Sequence, residues 1–277
     1  MTASSGRAPG RSQAGPRPPG GASGVPVGRG APGQPAYVLH QHDWSESSLI
    51  LDLFTRESGR VAVAAKGAKR PYSQLRAVLL PLQRITVSLS KPGKSASADG
   101  GEVQTLRSAE WGGGATLPSG AALFSGYYLN ELLLKLLARH DPHPQLFDAY
   151  ADALAHLADG DTALRAFELK LLVELGLLPD LSVVTPTQAP VDPARRYQLS
   201  PESGLIPPTG DAGLPGALLI SLQAALLHGS PAALRQACAA APLALKTTLR
   251  GLLHYHLGHQ PLRTRALMVD VQQLLDS

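Results

Sequence analysis

GRVAVAAKGAKRPYS, residues 59–73, opens as an alternating strand and closes as a basic turn. Val61, Val63 and Ala65 fall on one side of the strand, and Ala62, Ala64 and Lys66 on the other. Gly67 breaks the alternation, Lys66, Lys69 and Arg70 cluster around it, and Pro71 ends the run. Outward from this stretch, Ser58–Ala98 contains no Asp or Glu but eight basic residues: Arg60, Lys66, Lys69, Arg70, Arg76, Arg84, Lys91 and Lys94. Positive charge on strands and their loops, with no acid interleaved, suits a surface that follows a phosphate backbone. The alternative is a solvated face whose neutralising acids come from elsewhere in the fold.

The segments on either side share the period of two. A strand at about Tyr37–Gln41 leads through Asp43-Trp44-Ser45 into Ser48–Thr55, where Leu49, Leu51 and Leu53 share a face opposite Ile50, Asp52 and Phe54. Glu57-Ser58-Gly59 is a hairpin turn. A short Ser73–Leu80 segment of one or two helical turns ends at Pro81. Ile85, Val87 and Leu89 then alternate with polar neighbours, and Glu102–Ala109 is a fifth strand. Five strands in about 75 residues, interrupted by a helix after the third, predict a small closed barrel of the OB type, a shape that binds single strands across one face.

Gly112-Gly113-Gly114 and Pro118 mark a boundary, and beyond it the period becomes helical. Ser119 is positioned to cap a helix reaching about Arg139, with Leu129, Leu132 and Leu133 inward and Glu131, Lys135 and Arg139 on the wet face. Pro144 starts a second helix that ends at Gly160. Asp161 is placed to cap a third that ends at Gly176. Residues 181–211 hold six prolines and no sustained period, which predicts an irregular insertion. Further helices are expected at about Leu214–His228, Ala232–Ala240, Leu243–Leu257 and Arg265–Leu275. The predicted class is therefore α+β and multidomain. Residues 1–35 form a disordered Pro/Gly/Arg tail, 36–115 an N-terminal five-stranded OB-type β-barrel, and 116–277 an all-α helical domain carrying the insertion.

Composition narrows the chemistry. The 277 residues are 44% hydrophobic, enough for a sizeable core. The net charge of +4 equals the contribution of Arg7, Arg11, Arg17 and Arg29. Without those four, 21 basic residues face 21 acidic ones. A single cysteine, Cys238, excludes an internal disulfide and a multi-thiolate zinc site, and it fits a cytoplasmic location. No apolar run is long enough to span a membrane. Gly93-Lys94-Ser95 is similar to the end of a phosphate-binding loop, but Ser88 stands where that loop needs a further glycine. His254, His256 and His259 lack a nearby carboxylate or thiolate to complete a metal site. With no nucleophile elbow and no singled-out carboxylate pair, no enzyme, cofactor or metal is expected.

Five ordered blocks resemble the RecO family of bacterial DNA-repair recombination mediators: YVLHQHDWSESSLILDLFTRESGRVAVAAKGAKR, EVQTLRSAEW, GYYLNELLLKLLARHDPHPQLFDAY, LRAFELKLLVELG and HYHLGHQPLRTR. The resemblance implies a protein that binds single- and double-stranded DNA, anneals complementary strands, and remodels DNA coated with single-stranded-DNA-binding protein (SSB). It also implies a RecR partner, help in loading RecA, and a nucleoid-associated cytoplasmic location. Lys66, Lys69 and Arg70 match the family's basic motif, and Arg76 follows in the same segment. With Arg60 and Arg84 of the acid-free stretch they make up the expected DNA contacts. Arg165, in LRAFEL, is the expected partner for the acidic C-terminal tail of SSB, unless it serves an exposed helix pair with Glu168 or packs against its flanking leucines. The four-cysteine zinc site that many members carry in the insertion is absent from residues 181–211, so the insertion must be held by packing or be mobile. The rival reading is a protein-interaction adaptor with incidental DNA contact.

Overall fold

The computed structural model describes residues 33–90, 103–210, 213–258, 260–264 and 266–267. The expected tail (except its last three residues), the Gly93-Lys94-Ser95 turn and most of the expected final helix lie outside them.

Strands β1 (Gln34–Asp43), β2 (Leu49–Thr55) and β3 (Gly59–Ala65) form an antiparallel meander. The short helix α1 (Leu75–Val78) follows, then β4 (Arg84–Leu89) and β5 (Gln104–Trp111). They close in the order β1-β2-β3-β5-β4, with β4 returning antiparallel to β1 and β3 meeting β5 in parallel. Alternation decides the interior: Ala36 and Val38, Leu51 and Leu53, Val61 and Val63, and Ile85 and Val87 all point inward and are buried. Leu79, just past α1, and Ala68 plug one end of this core.

The outer face of the barrel is not left to water. Tyr37, Leu39 and Phe54 alternate with the interior residues and join the core of the helices instead. Tyr37 and Phe54 pack on Phe147 and Tyr150, with ring centroids 4.9–6.1 Å apart. Strand β1 therefore serves two cores, one with each face.

The helices are α2 (Ala121–Leu136), α3 (Pro144–His156) extended by a 3-10 turn at Leu157–Asp159, and α4 (Thr162–Glu174). After the insertion come α5 (Gly216–His228), α6 (Pro231–Cys238) and α7 (Pro242–Leu257). Two expected caps are not made. Gly120, not Ser119, precedes α2, with a positive φ of 55°, and the Asp161 carboxylate turns to Lys246 at 2.8 Å instead of capping α4. The insertion is also more regular than expected. It contains β6 (Arg196–Ser200) and β7 (Gly204–Ile206), and β8 (Leu214–Pro215) follows it to complete a three-stranded sheet. With five, three and two residues, these strands are too short to show a period in sequence. The sheet is held by packing, with Leu181, Val184, Val191, Tyr197, Leu199 and Leu205 all buried in the helical core.

Polar contacts lock the barrel to the helices. At the bulge in β1 beside Leu39, the backbone carbonyls of Val38 and Leu39 accept from the buried Asn130 amide of α2 at 3.4 and 3.1 Å. Tyr150 donates to the same Asn130 side chain. A bulge frees backbone groups that the sheet cannot pair, and a neighbouring helix supplies the partner here. Gly59 sits at φ +66°, so close to the helices that an added Cβ would meet the Asp141 carbonyl oxygen at 2.0 Å.

Candidate nucleic-acid interface

The strand ladder separates the six expected DNA contacts into two surfaces. Arg84, Tyr37, Phe54 and Arg60 form one continuous row across β4, β1, β2 and β3. Residues paired in register share a face, and this is the face the helices cover. Lys66, Lys69, Arg70 and Arg76 belong to the connection after β3, at the other end of that strand, where the β1–β2 hairpin of Asp43–Leu49 approaches.

Arg60 is a joint between the two cores. Its guanidinium donates to Asp52 at 3.3 Å and to the carbonyl oxygens of Leu134 and Leu137 at the C-terminal end of α2. Those carbonyls lack intrahelical partners and carry the negative end of the helix dipole, so a cation fits there. Asp52, 4% exposed, also accepts from Arg139 at 3.1 Å. The side chain of Arg60 is only 16% exposed, and as placed it cannot meet a phosphate. Arg84 is half-buried beside Gly112 and Gly114.

The other four cations lie together. Gly67, at φ +73°, lets the chain fold back so that the Arg70 amide bonds the Gly67 carbonyl at 3.2 Å. Lys69 bonds Ser47 and Ser45 through backbone and side chain, and its ammonium pairs with Asp43 at 3.1 Å. With Asp43 largely in water, that pair contributes at most about 1 kcal/mol. Lys66, Arg70 and Arg76 are exposed, and no carboxylate lies within ion-pair distance of them among the described residues. Trp44 of the adjoining hairpin is 57% exposed and Tyr72 is 99% exposed. Both present ring surface to solvent, Tyr72 nearly all of it. Arg107, on β5, is a further exposed cation that the acid-free window did not single out, because it lies beyond Asp99. Its alternation with the buried Leu106 was the signal available.

Residues 33–111 match the family model described as "Recombination protein O N terminal", and residues 118–266 match "Recombination protein O C terminal". The chain belongs to the RecO family. Proteins named "DNA repair protein RecO" from Albidiferax ferrireducens and Polaromonas sp. strain JS666 are 51% and 52% identical to it. Each match covers 87% of this chain, and 96% and 97% of the relative respectively. The relative from Paracidovorax citrulli, with the same name, is 53% identical over 258 residues.

In this RecO family member Arg165 is buried rather than displayed. Its side chain is 8% exposed and pairs with the fully buried Glu168 at 2.8 Å, the alternative weighed from sequence, though in the interior and not at the surface. Tyr128 of α2 donates to Glu168 at 2.6 Å. Burial pushes the Glu168 carboxyl up to about 7, against the pull of Arg165 and the Tyr128 hydrogen bond. Arg165 Nε has no hydrogen-bond partner. Cys238 lies close by in α6, its thiol pushed up to about 12 by burial.

Glu131 leaves the wet face expected for it, whereas Arg139, past the end of α2 at Leu136, stays exposed while it reaches Asp52. The Glu131 carboxylate accepts from the Arg263 and Thr264 amides at 2.8 and 2.9 Å and from the Thr264 hydroxyl at 2.6 Å. Lys135 pairs with Glu131 and donates to the Pro261 carbonyl. Among the described residues no group of three or more His, Cys, Asp or Glu could hold a metal ion, and no helix is long and apolar enough to cross a membrane.

Proposed function

We propose that this protein is a DNA-binding recombination mediator in DNA repair that holds nucleic acid on the β3–α1 end of its barrel. It anneals complementary strands and remodels SSB-coated single strands ahead of RecA, with RecR as a partner. The observation that carries the reading is the group Lys66, Arg70 and Arg76, exposed on a closed five-stranded barrel without carboxylate partners among the described residues. Unneutralised cations so placed reduce the repulsion between two phosphate backbones brought side by side, and each phosphate contact releases counterions. The names of the relatives support the repair role. Lys69 contributes by giving up its weak surface pair with Asp43. Arg60 and Arg84 lie in the row that the helices cover and are left out of this surface.

Arg165 is the proposed anchor for the acidic SSB tail. Contact requires the surroundings of α4 to part, and an incoming carboxylate then competes with a Glu168 whose ionisation burial already disfavours.

The test is annealing of complementary SSB-coated oligonucleotides across a salt series, for the parent and for a Lys66/Arg70/Arg76→Glu variant of confirmed fold. The parent is expected to anneal and to weaken with salt. The variant is expected to fail, with a log–log salt slope for single-strand binding shallower by about 2. Equal annealing by both proteins would overturn the proposal and favour the adaptor reading.

A further inference from the structure

Beside the basic group, the short helix α1 stands off the barrel and leaves a pocket of about 280 Å³. Ala68, Leu75, Leu79 and Leu80 give it aliphatic walls, and Lys69 and Arg76 stand among its lining residues. Gln41 of β1 ties the far side by donating its amide to the Leu79 carbonyl. Ala68 and Leu79 are buried in the barrel core, so this wall is fixed, whereas Leu80 is 38% exposed.

We propose that this pocket takes one unstacked base of a single strand, its flanking phosphates held by Lys69 and Arg76. The inference rests on the DNA-binding reading and names a base subsite within it. An aliphatic pocket is a poor host for a phosphate, because burying charge against carbon is costly. A strand whose phosphates sit on those two cations instead has an apolar-faced group within one nucleotide of them: the base. Bases in a duplex are stacked inward and reach such a pocket only at the cost of unstacking and unpairing, so the pocket selects single strands. Its aliphatic walls hold a base by its faces, which makes the selection tolerant of sequence.

The experiment compares binding of oligothymidylate and of an abasic deoxyribose-phosphate chain of the same length, equal in charge but lacking bases. The parent is expected to bind the thymidylate about tenfold more tightly. Leu75→Phe, which fills the pocket, is expected to bring the ratio towards one while leaving affinity for the abasic chain and for duplex unchanged. Leu80→Gln makes a neutral change at an exposed wall, is expected to lower the ratio less, and decides the matter if Leu75→Phe does not fold. A parent that binds both chains equally overturns the pocket and leaves DNA binding standing. A parent that binds neither overturns both. A preference for thymidylate that survives in the folded variants places the bases elsewhere, on Tyr72 or Trp44, and also overturns the proposal.

Discussion

Arg139 donates to Asp52 at 3.1 Å across the seam between the helices and the barrel. The same carboxylate receives Arg60 from its own sheet, so one buried acid balances two cations.

Removing that acid leaves the largely buried Arg60 guanidinium, and the more exposed one of Arg139, short of their counter-charge. Asp52→Ala is expected to destabilise the protein by about 3 kcal/mol, the usual scale for breaking a buried pair from one side. Denaturant unfolding followed by circular dichroism measures it. A loss below about 1 kcal/mol would show that solvent reaches the seam.

Arg60 and Lys66 are six residues apart in one basic stretch, and the fold gives them opposite duties. Arg60→Ala is expected to lower the unfolding midpoint, because the Leu134 and Leu137 carbonyls and Asp52 lose a donor, at about 1–3 kcal/mol. Its affinity for DNA at a temperature where it is folded should stay within about twofold of the parent. Lys66→Ala should do the reverse, weakening single-strand binding with stability unchanged within about 0.5 kcal/mol. Binding isotherms and melts on the two proteins test both halves.

Glu131 supplies a pH dependence. Burial alone would raise its carboxyl, but hydrogen bonds from the Thr264 hydroxyl and amide, the Arg263 amide and Lys135 hold it below its ordinary value of 4.5. A carboxyl depressed in the fold stabilises it above the unfolded value, and that contribution is lost as pH falls through the folded one. Docking of residues 263–264 on α2 is therefore expected to loosen below about pH 4.5. Glu131→Gln should remove this acid sensitivity and lower the exchange protection of the Arg263 and Thr264 amides at neutral pH. Hydrogen exchange at the two pH values checks it, and unchanged protection in the variant would dismiss the clasp.

The barrel was legible because its strands alternate cleanly, and α2 to α4 because proline and glycine punctuate a steady helical period. What escaped was whatever a residue owes to a distant partner. Glu131 reads as a solvated member of an i,i+4 series until Thr264, 133 positions on, closes over it. Arg60 reads as one more cation until the end of α2 is placed against it. Arg165 and Glu168, three apart on a helix, look like an exposed pair, and only the packing of α2 and α6 puts them inside. The strands β6 to β8 escaped for another reason: with five, three and two residues, they offer no window in which a period can be counted.

Over Ala36–Leu39, ahead of its bulge, strand β1 gives its even-numbered side chains to one core and its odd-numbered ones to another. The three glycines at 112–114 look like a place to cut the chain into independent pieces, and the two family matches fall on either side of them. A barrel released there would carry Tyr37, Leu39 and Phe54 into water as a sticky stripe, and the helices would lose the wall they close against. The two parts match separate family models but share one wall. Whatever tilts the helices also tilts the rim that carries the cations.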